Sequence, residues 1–120
     1  MKLNHVNLAV PNVSETAAFF EKFFQMRCLE TKGDNVLTVL TDEAGLALTL
    51  SNFDAKTVPA YPRDFHLGFI RETREQVTEV FEQMKAESLD VKPPRSVHGG
   101  WGFYVHAPGG ILVEVTAYSS

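Results

Sequence analysis

Two short apolar runs, each holding a histidine and each followed at once by a helix-start signal, constrain this chain more than any other feature. They are LNHVNLAV around His5 and DFHLGFI around His66. Laying one on the other sets an offset of 61 residues (66 − 5). At that offset Asn12 falls on Thr73 and Glu15 on Gln76. Each run therefore leads into a capping residue with Glu or Gln three positions on, the reciprocal pair that satisfies free amides at a helix start. Phe19, Phe20 and Phe23 fall on Val80, Phe81 and Met84, the apolar stripe of each helix. Nearer the end of each half the offset becomes 65 (114 − 49), with Gly45 against Gly110 and Thr49 against Glu114. The difference of four residues (65 − 61) sits between helix and final hairpin in the second half. The chain reads as a duplicated strand-helix-strands unit over 1–50 and 65–120, with a linker over 51–64. A repeat this long closes two units on each other rather than stacking an array.

Within the first half, a strand over 3–10 places Leu3, His5, Asn7 and Ala9 on one face and Asn4, Val6, Leu8 and Val10 on the other. Pro11 ends it, and a helix over 13–26 is expected to bury Ala17, Phe20 and Phe24 with Phe19 and Phe23 alongside. Strands over 27–31, 35–40 and 46–50 follow, separated by turn signals. The linker carries Pro59 and Pro62 and no sustained period, so it reads as a connection and a candidate flap over a site. The second half opens with a strand over 65–70, with His66, Gly68 and Ile70 on one face, and a helix over 74–87. A short strand near Val91, an irregular loop over 93–100 and a hairpin over 102–116 turned at Pro108-Gly109-Gly110 complete it. Irregular loops on a strand scaffold often carry substrate contacts.

In the last strand Ile111, Val113 and Val115 share a core face, while Leu112, Glu114 and Thr116 share the other. A carboxylate in mid-strand is either solvated or held by a cation. His5 and His66, at related positions on the first strands of the two units, supply a reason for the second reading. Singly, each histidine would read as a hydrogen-bonded core or surface residue. Together with Glu114 they form a set that suits a divalent transition metal with positions open for water or substrate.

Composition narrows the partner. At 120 residues the chain has the length of one domain, whose halves are expected to fold together. No run approaches the roughly 20 apolar residues of a membrane span, and the start lacks a signal-peptide pattern. A cytoplasmic location and no membrane partner are the expectation. The formal net charge of −4 argues against a nucleic-acid surface and leaves a small molecule as the expected partner. Arg63, Arg71, Arg74, Lys92 and Arg95 are the cations open to an anionic ligand. The single cysteine, Cys28, is expected as a small buried hydrophobe.

NHVNLAV before a Phe-rich helix, FHLGFI at the start of the second half and the closing FYVHAPGGILVEV, in this order and spacing, resemble the vicinal oxygen chelate superfamily. That superfamily includes glyoxalase I, fosfomycin-resistance thiol transferases, bleomycin-binding proteins, methylmalonyl-CoA epimerase and extradiol dioxygenases. The resemblance covers essentially the whole chain. It implies an α+β fold in which two βαβββ units form an eight-stranded open cup. It also implies metal binding by His5, His66 and Glu114, the ion being manganese, zinc, nickel or iron. Four-ligand members carry a further Glu or Gln, and here Thr49 or Leu48 stands at that place. Neither is a good ligand, which favours three-ligand members. Tyr104 matches a substrate-side tyrosine of the fosfomycin type, although Asn7 stands where that type has a threonine. A homodimer is implied, often one in which His5 comes from one chain and His66 and Glu114 from the other.

The reading that follows is a metal-dependent enzyme acting on a small oxygen-rich substrate, of lyase, isomerase or thiol-transferase type. Tyr104 is the first candidate for substrate contact, with Asn7, Thr49, Arg95, His98, Trp101 and His106 as further cup-lining candidates. The sequence does not show which residue acts as general base. One alternative is a non-catalytic drug-binding protein of the bleomycin-resistance type, using Phe53, Tyr61, Trp101 and Tyr104. Another is an extradiol-type dioxygenase, for which His98 or His106 would be nominated.

Overall fold

Both helices begin where the sequence places a capping side chain. Asn12 Oδ1 accepts a hydrogen bond from the Glu15 backbone N–H at 3.0 Å, and helix α1 runs over Val13–Phe24. Thr73 and Gln76 complete a reciprocal capping box at the start of helix α2, Arg74–Ala86. Helix α1 stops at Gln25, whose left-handed φ of 56° ends the helical run short of Met26. The buried stripe of α1 is Val13, Thr16, Ala17, Phe19, Phe20 and Phe23. Phe24, expected inside, is only half-buried. Thr16, fully buried, keeps its hydroxyl satisfied by donating to the Asn12 carbonyl at 2.8 Å. Positions related by the duplication are buried alike: Thr16 and Val77 at 0%, Phe20 at 0% and Phe81 at 5%.

The structure is a computed structural model that describes residues 1–54 and 59–118. Residues 55–58, part of the expected flap, lie outside the described residues. The chain divides into two units, Met1–Ala60 and Tyr61–Ser120. In the first unit strands β1 (His5–Ala9), β2 (Arg27–Lys32), β3 (Leu37–Thr41) and β4 (Ala47–Ser51) form one sheet in the order β1-β4-β3-β2. In the second, β5 (His66–Ile70), β6 (Arg95–Val97), β7 (Gly100–His106) and β8 (Leu112–Ala117) form a sheet in the order β5-β8-β7-β6. The first and last strands of each unit pair in parallel and the remaining neighbours antiparallel. This is the expected α+β architecture of two βαβββ units.

The registers carry the duplication to the single residue. Asn7 lies opposite Thr49 in the first unit and Gly68 opposite Glu114 in the second. The steps are 61 (68 − 7) and 65 (114 − 49), the two offsets read from the sequence. Thr49, not Leu48, is thus the counterpart of Glu114, and Leu48 is buried in the core at 5% exposure. In each unit the other face of the sheet packs on the helix. Leu8, Leu40, Leu48 and Leu50 are buried in one core, and Phe81, Met84, Phe103, Val113 and Val115 in the other.

Three local expectations are corrected. No strand forms near Val91; the sheet is completed by β6, inside the stretch expected to be a loop. Pro93 and Pro94 have no N–H to donate to a ladder, so pairing starts only after them, at Arg95. His98 and Gly99, with φ of 47° and 79°, then turn the chain in two residues, as a tight hairpin between right-twisted strands requires. Finally, Cys28 is exposed rather than buried. It lies on the edge strand β2, whose six residues are all exposed and which carries a bulge between Cys28 and Glu30. Charged side chains and a bulge are common ways of blunting a free sheet edge.

The burial pattern leads to a contrast between two phenylalanines. Phe20→Ala, at a position with 0% exposure, should lower unfolding free energy by about 3–5 kcal/mol in urea titrations. Phe53→Ala, at 71% exposure, should change it by no more than about 0.5 kcal/mol.

Candidate functional site

Alternation along the second sheet fixes which side chains meet. Cross-strand partners share a face, so three rows run across β5, β8 and β7 away from the helix. The first is His66, Leu112 and His106; the second Gly68, Glu114 and Tyr104; the third Ile70, Thr116 and Gly102, with Arg95 of β6 beyond it. His66 and Glu114 meet diagonally on this face, with His66 Nε2 3.7 Å from Glu114 Oε1. Gly68 lies beside this pair. A Cβ built there would have Glu114 Oε1 as its nearest neighbour, at 3.8 Å.

The other ring nitrogen of His66 is anchored. Nδ1 lies 2.9 Å from the Asp64 backbone carbonyl, which can only accept. The proton therefore sits on Nδ1, and Nε2 presents its lone pair toward Glu114 when the ring is neutral. Such an outer hydrogen bond is the usual way a metal-ligating imidazole is oriented. Two metal bonds of about 2.1 Å at tetrahedral or octahedral angles hold their ligand atoms about 3.0–3.4 Å apart. The observed 3.7 Å lies within a small side-chain adjustment of that. His66 and Glu114 thus fit two positions of a metal's ligand shell.

Tyr104 completes the cluster. Its ring stands edge-on to His66 at 6.0 Å between centroids. Burial, the charge of Glu114 and a hydrogen bond to that carboxylate push its phenol above the ordinary value of 10.0, with Arg95 opposing. The hydroxyl keeps its proton and donates to Glu114.

Of the remaining candidates, Arg95 and His106 lie on the same face, Arg95 close enough to act on Tyr104. Trp101 does not: it faces the helix side, with the Arg74 guanidinium 5.4 Å from its ring centroid. His98 sits at the exposed apex of the β6–β7 turn. In the first unit His5, Asn7 and Thr49 share the face turned away from α1. His5 Nδ1 lies 3.0 Å from Asn4 Oδ1, the same Nδ1 anchoring as in His66. Asn7 Oδ1 accepts from the Ser51 hydroxyl at 2.9 Å, so its NH2 group remains a donor. Among the described residues no group of three His, Cys, Asp or Glu side chains gathers as a metal centre. The anchors of the two histidines were not legible beforehand: one is a backbone carbonyl, which any residue supplies, and the other is an unremarkable asparagine.

A phenol with a raised folded-state value contributes stability that is complete below its unfolded value of about 10 and is lost as pH rises through the folded value. In alkaline titration followed by phenolate absorbance, the step missing from Tyr104→Phe should lie above the ordinary phenol range. The variant should also lose less stability than the parent over that interval.

Comparison with known proteins agrees with the fold. The family model described as Glyoxalase/Bleomycin resistance protein/Dioxygenase superfamily matches residues 2–115. A structure of a possible glyoxalase from Bacillus cereus is 37% identical, with a TM-score of 0.87 over 98% of this chain and 99% of that one. The fosfomycin resistance protein FosX of Listeria innocua serovar 6a is 25% identical over 108 residues, 87% of this chain and 78% of that protein. The crystal structure of FosX from Listeria monocytogenes is 26% identical, with a TM-score of 0.75 over 98% and 93% of the two chains.

Proposed function

The chain belongs to the Glyoxalase/Bleomycin resistance protein/Dioxygenase superfamily, and on that premise we propose that it is a metal-dependent enzyme acting on a small oxygen-rich substrate. The reaction is of lyase, isomerase or thiol-transferase type. The observation that carries this reading is the His66–Glu114 pair, with Nε2 turned to the carboxylate and Nδ1 tied to a backbone carbonyl. His5, whose Nδ1 is held in the same way, is the third ligand. In a homodimer, the common state of the superfamily, it comes from the same chain or from the partner.

A divalent transition metal held there, manganese, zinc, nickel or iron, supplies a Lewis acid for two adjacent substrate oxygens. This chain's residues do the rest. Tyr104, kept protonated by burial and by Glu114, can turn its hydroxyl from the carboxylate to a substrate oxygen as a hydrogen-bond donor. Its bond to Glu114 orients the carboxylate before substrate arrives. Arg95, on the same face, offers a positive charge to an anionic substituent. The Asn7 amide and the Thr49 hydroxyl, on the His5 face, are neutral donors to further oxygens. Thr49 in the place of a fourth acidic ligand leaves one more position for water or substrate. The turning of Trp101 to the helix side removes one of the aromatic rings that a drug-binding reading relied on.

The test is metal content of untagged protein after reconstitution and dialysis. The expected result is about one transition metal per chain, with affinity reduced at least about 10-fold in Glu114→Gln and in His66→Ala. Retention of stoichiometric metal by both variants would sink the assignment. Because two relatives are named for fosfomycin resistance, the metal-loaded protein should first be offered fosfomycin with water or a thiol as nucleophile. Conversion by the parent should be lost in Tyr104→Phe by about 10-fold or more.

A further inference from the structure

A cavity lies in the second unit, at the end of the sheet where the β6–β7 turn, the end of β8 and the start of α2 converge. Its volume is about 340 Å³, at the small end of the range of about 300–1,000 Å³ typical of small-molecule sites. None of His66, Glu114 and Tyr104 lines it. Arg74, Ser96, Val97, His98, Ala117 and Tyr118 do. The lining contains a guanidinium, an imidazole and two hydroxyls and no carboxylate, in a chain whose formal net charge is −4. Local charge is thus opposite in sign to that of the whole.

The guanidinium is pre-positioned. It rests on the Trp101 ring at 5.4 Å from the centroid, and Trp101 is not itself part of the lining. Arg74 thus lines the cavity as a cation held by an aromatic face. Among the described residues no carboxylate forms an ion pair with it. The opposite wall is apolar and aromatic. A Cβ at Gly100 would come within 3.1 Å of the Tyr118 ring and 2.6 Å of Thr116 Oγ1, so the glycine is what lets that ring lie close over the strand.

We propose that this cavity is a binding site for a small organic oxyanion, a carboxylate or phosphate monoester. Its charged head pairs with Arg74 and the hydroxyl of Ser96, and its apolar body lies against Val97, Ala117 and Tyr118. A planar guanidinium matches two oxygens of such a head at once, and the aromatic wall selects an organic anion over an inorganic one. The site shares no residue with the His66, Glu114 and Tyr104 group and does not depend on the reading of that group.

The test uses the full chain in EDTA, so that a metal plays no part, with phenyl phosphate, benzoate, neutral benzamide and inorganic phosphate as probes. Backbone amide NMR shifts should saturate with phenyl phosphate or benzoate at residues 96–100, 117 and 118 and not at His66 or Glu114. Arg74→Gln should weaken that binding at least about 10-fold, as loss of a charge-assisted contact does. Tyr118→Ala, at a position 66% exposed and so safe for folding, should weaken the aryl anions several-fold and leave inorganic phosphate unchanged. Shifts confined to His66 and Glu114, equal binding of benzamide, no saturable shift, or equal affinity of a folded Arg74→Gln would each overturn the proposal.

Discussion

Each unit depends on the parallel pairing of its first strand with its last. A parallel pair cannot be made by a tight turn and needs a long crossover, which here comprises a helix and two further strands. Backbone bonds beyond the strands continue the ladders, from Val10 N–H to Ser51 at 2.9 Å and from Arg71 N–H to Thr116 at 2.8 Å. The register Gly68 opposite Glu114 places His66, two residues earlier, diagonal to the carboxylate. A slip of one residue would turn Glu114 into the core and Val113 or Val115 outward. The fully buried Ile111, Val113 and Val115 oppose that slip, so packing on one face of β8 fixes the chemistry on the other.

Two glycines on the site face differ in what they require. At Gly102 a Cβ would lie 1.9 Å from the Val115 carbonyl oxygen, so the close approach of β7 to β8 itself excludes a side chain. At Gly68 a Cβ would meet only Glu114 Oε1, at an ordinary contact distance of 3.8 Å, so the backbone there does not demand glycine.

The two units share one architecture and differ in charge. Where the second has Gly68 beside Glu114, the first has Asn7 beside Thr49, with Asn7 bonded to Ser51. The first unit thus presents one histidine among neutral donors, while the second presents a histidine, a carboxylate and a phenol grouped on one face.

The duplication, the capping pairs and most of the inward stripe of each helix, Phe24 and Val80 excepted, were determined by the sequence itself, because they rest on periodicity and local hydrogen bonding. The repeat offsets even carried the residue-level equivalence of Thr49 with Glu114, since insertion between helix and hairpin changes the spacing without changing the register. Elements decided by longer-range terms were out of its reach. Pro93 and Pro94 moved the edge strand to Arg95, the edge position of β2 exposed Cys28, and alternation in β7 turned Trp101 toward Arg74. The pairing of His66 with Glu114 was foreseen as residue types, but its geometry depended on a parallel ladder and on a backbone carbonyl at Asp64. Neither of these leaves a mark in the identity of a residue, so only the tertiary structure decided which way the imidazole points.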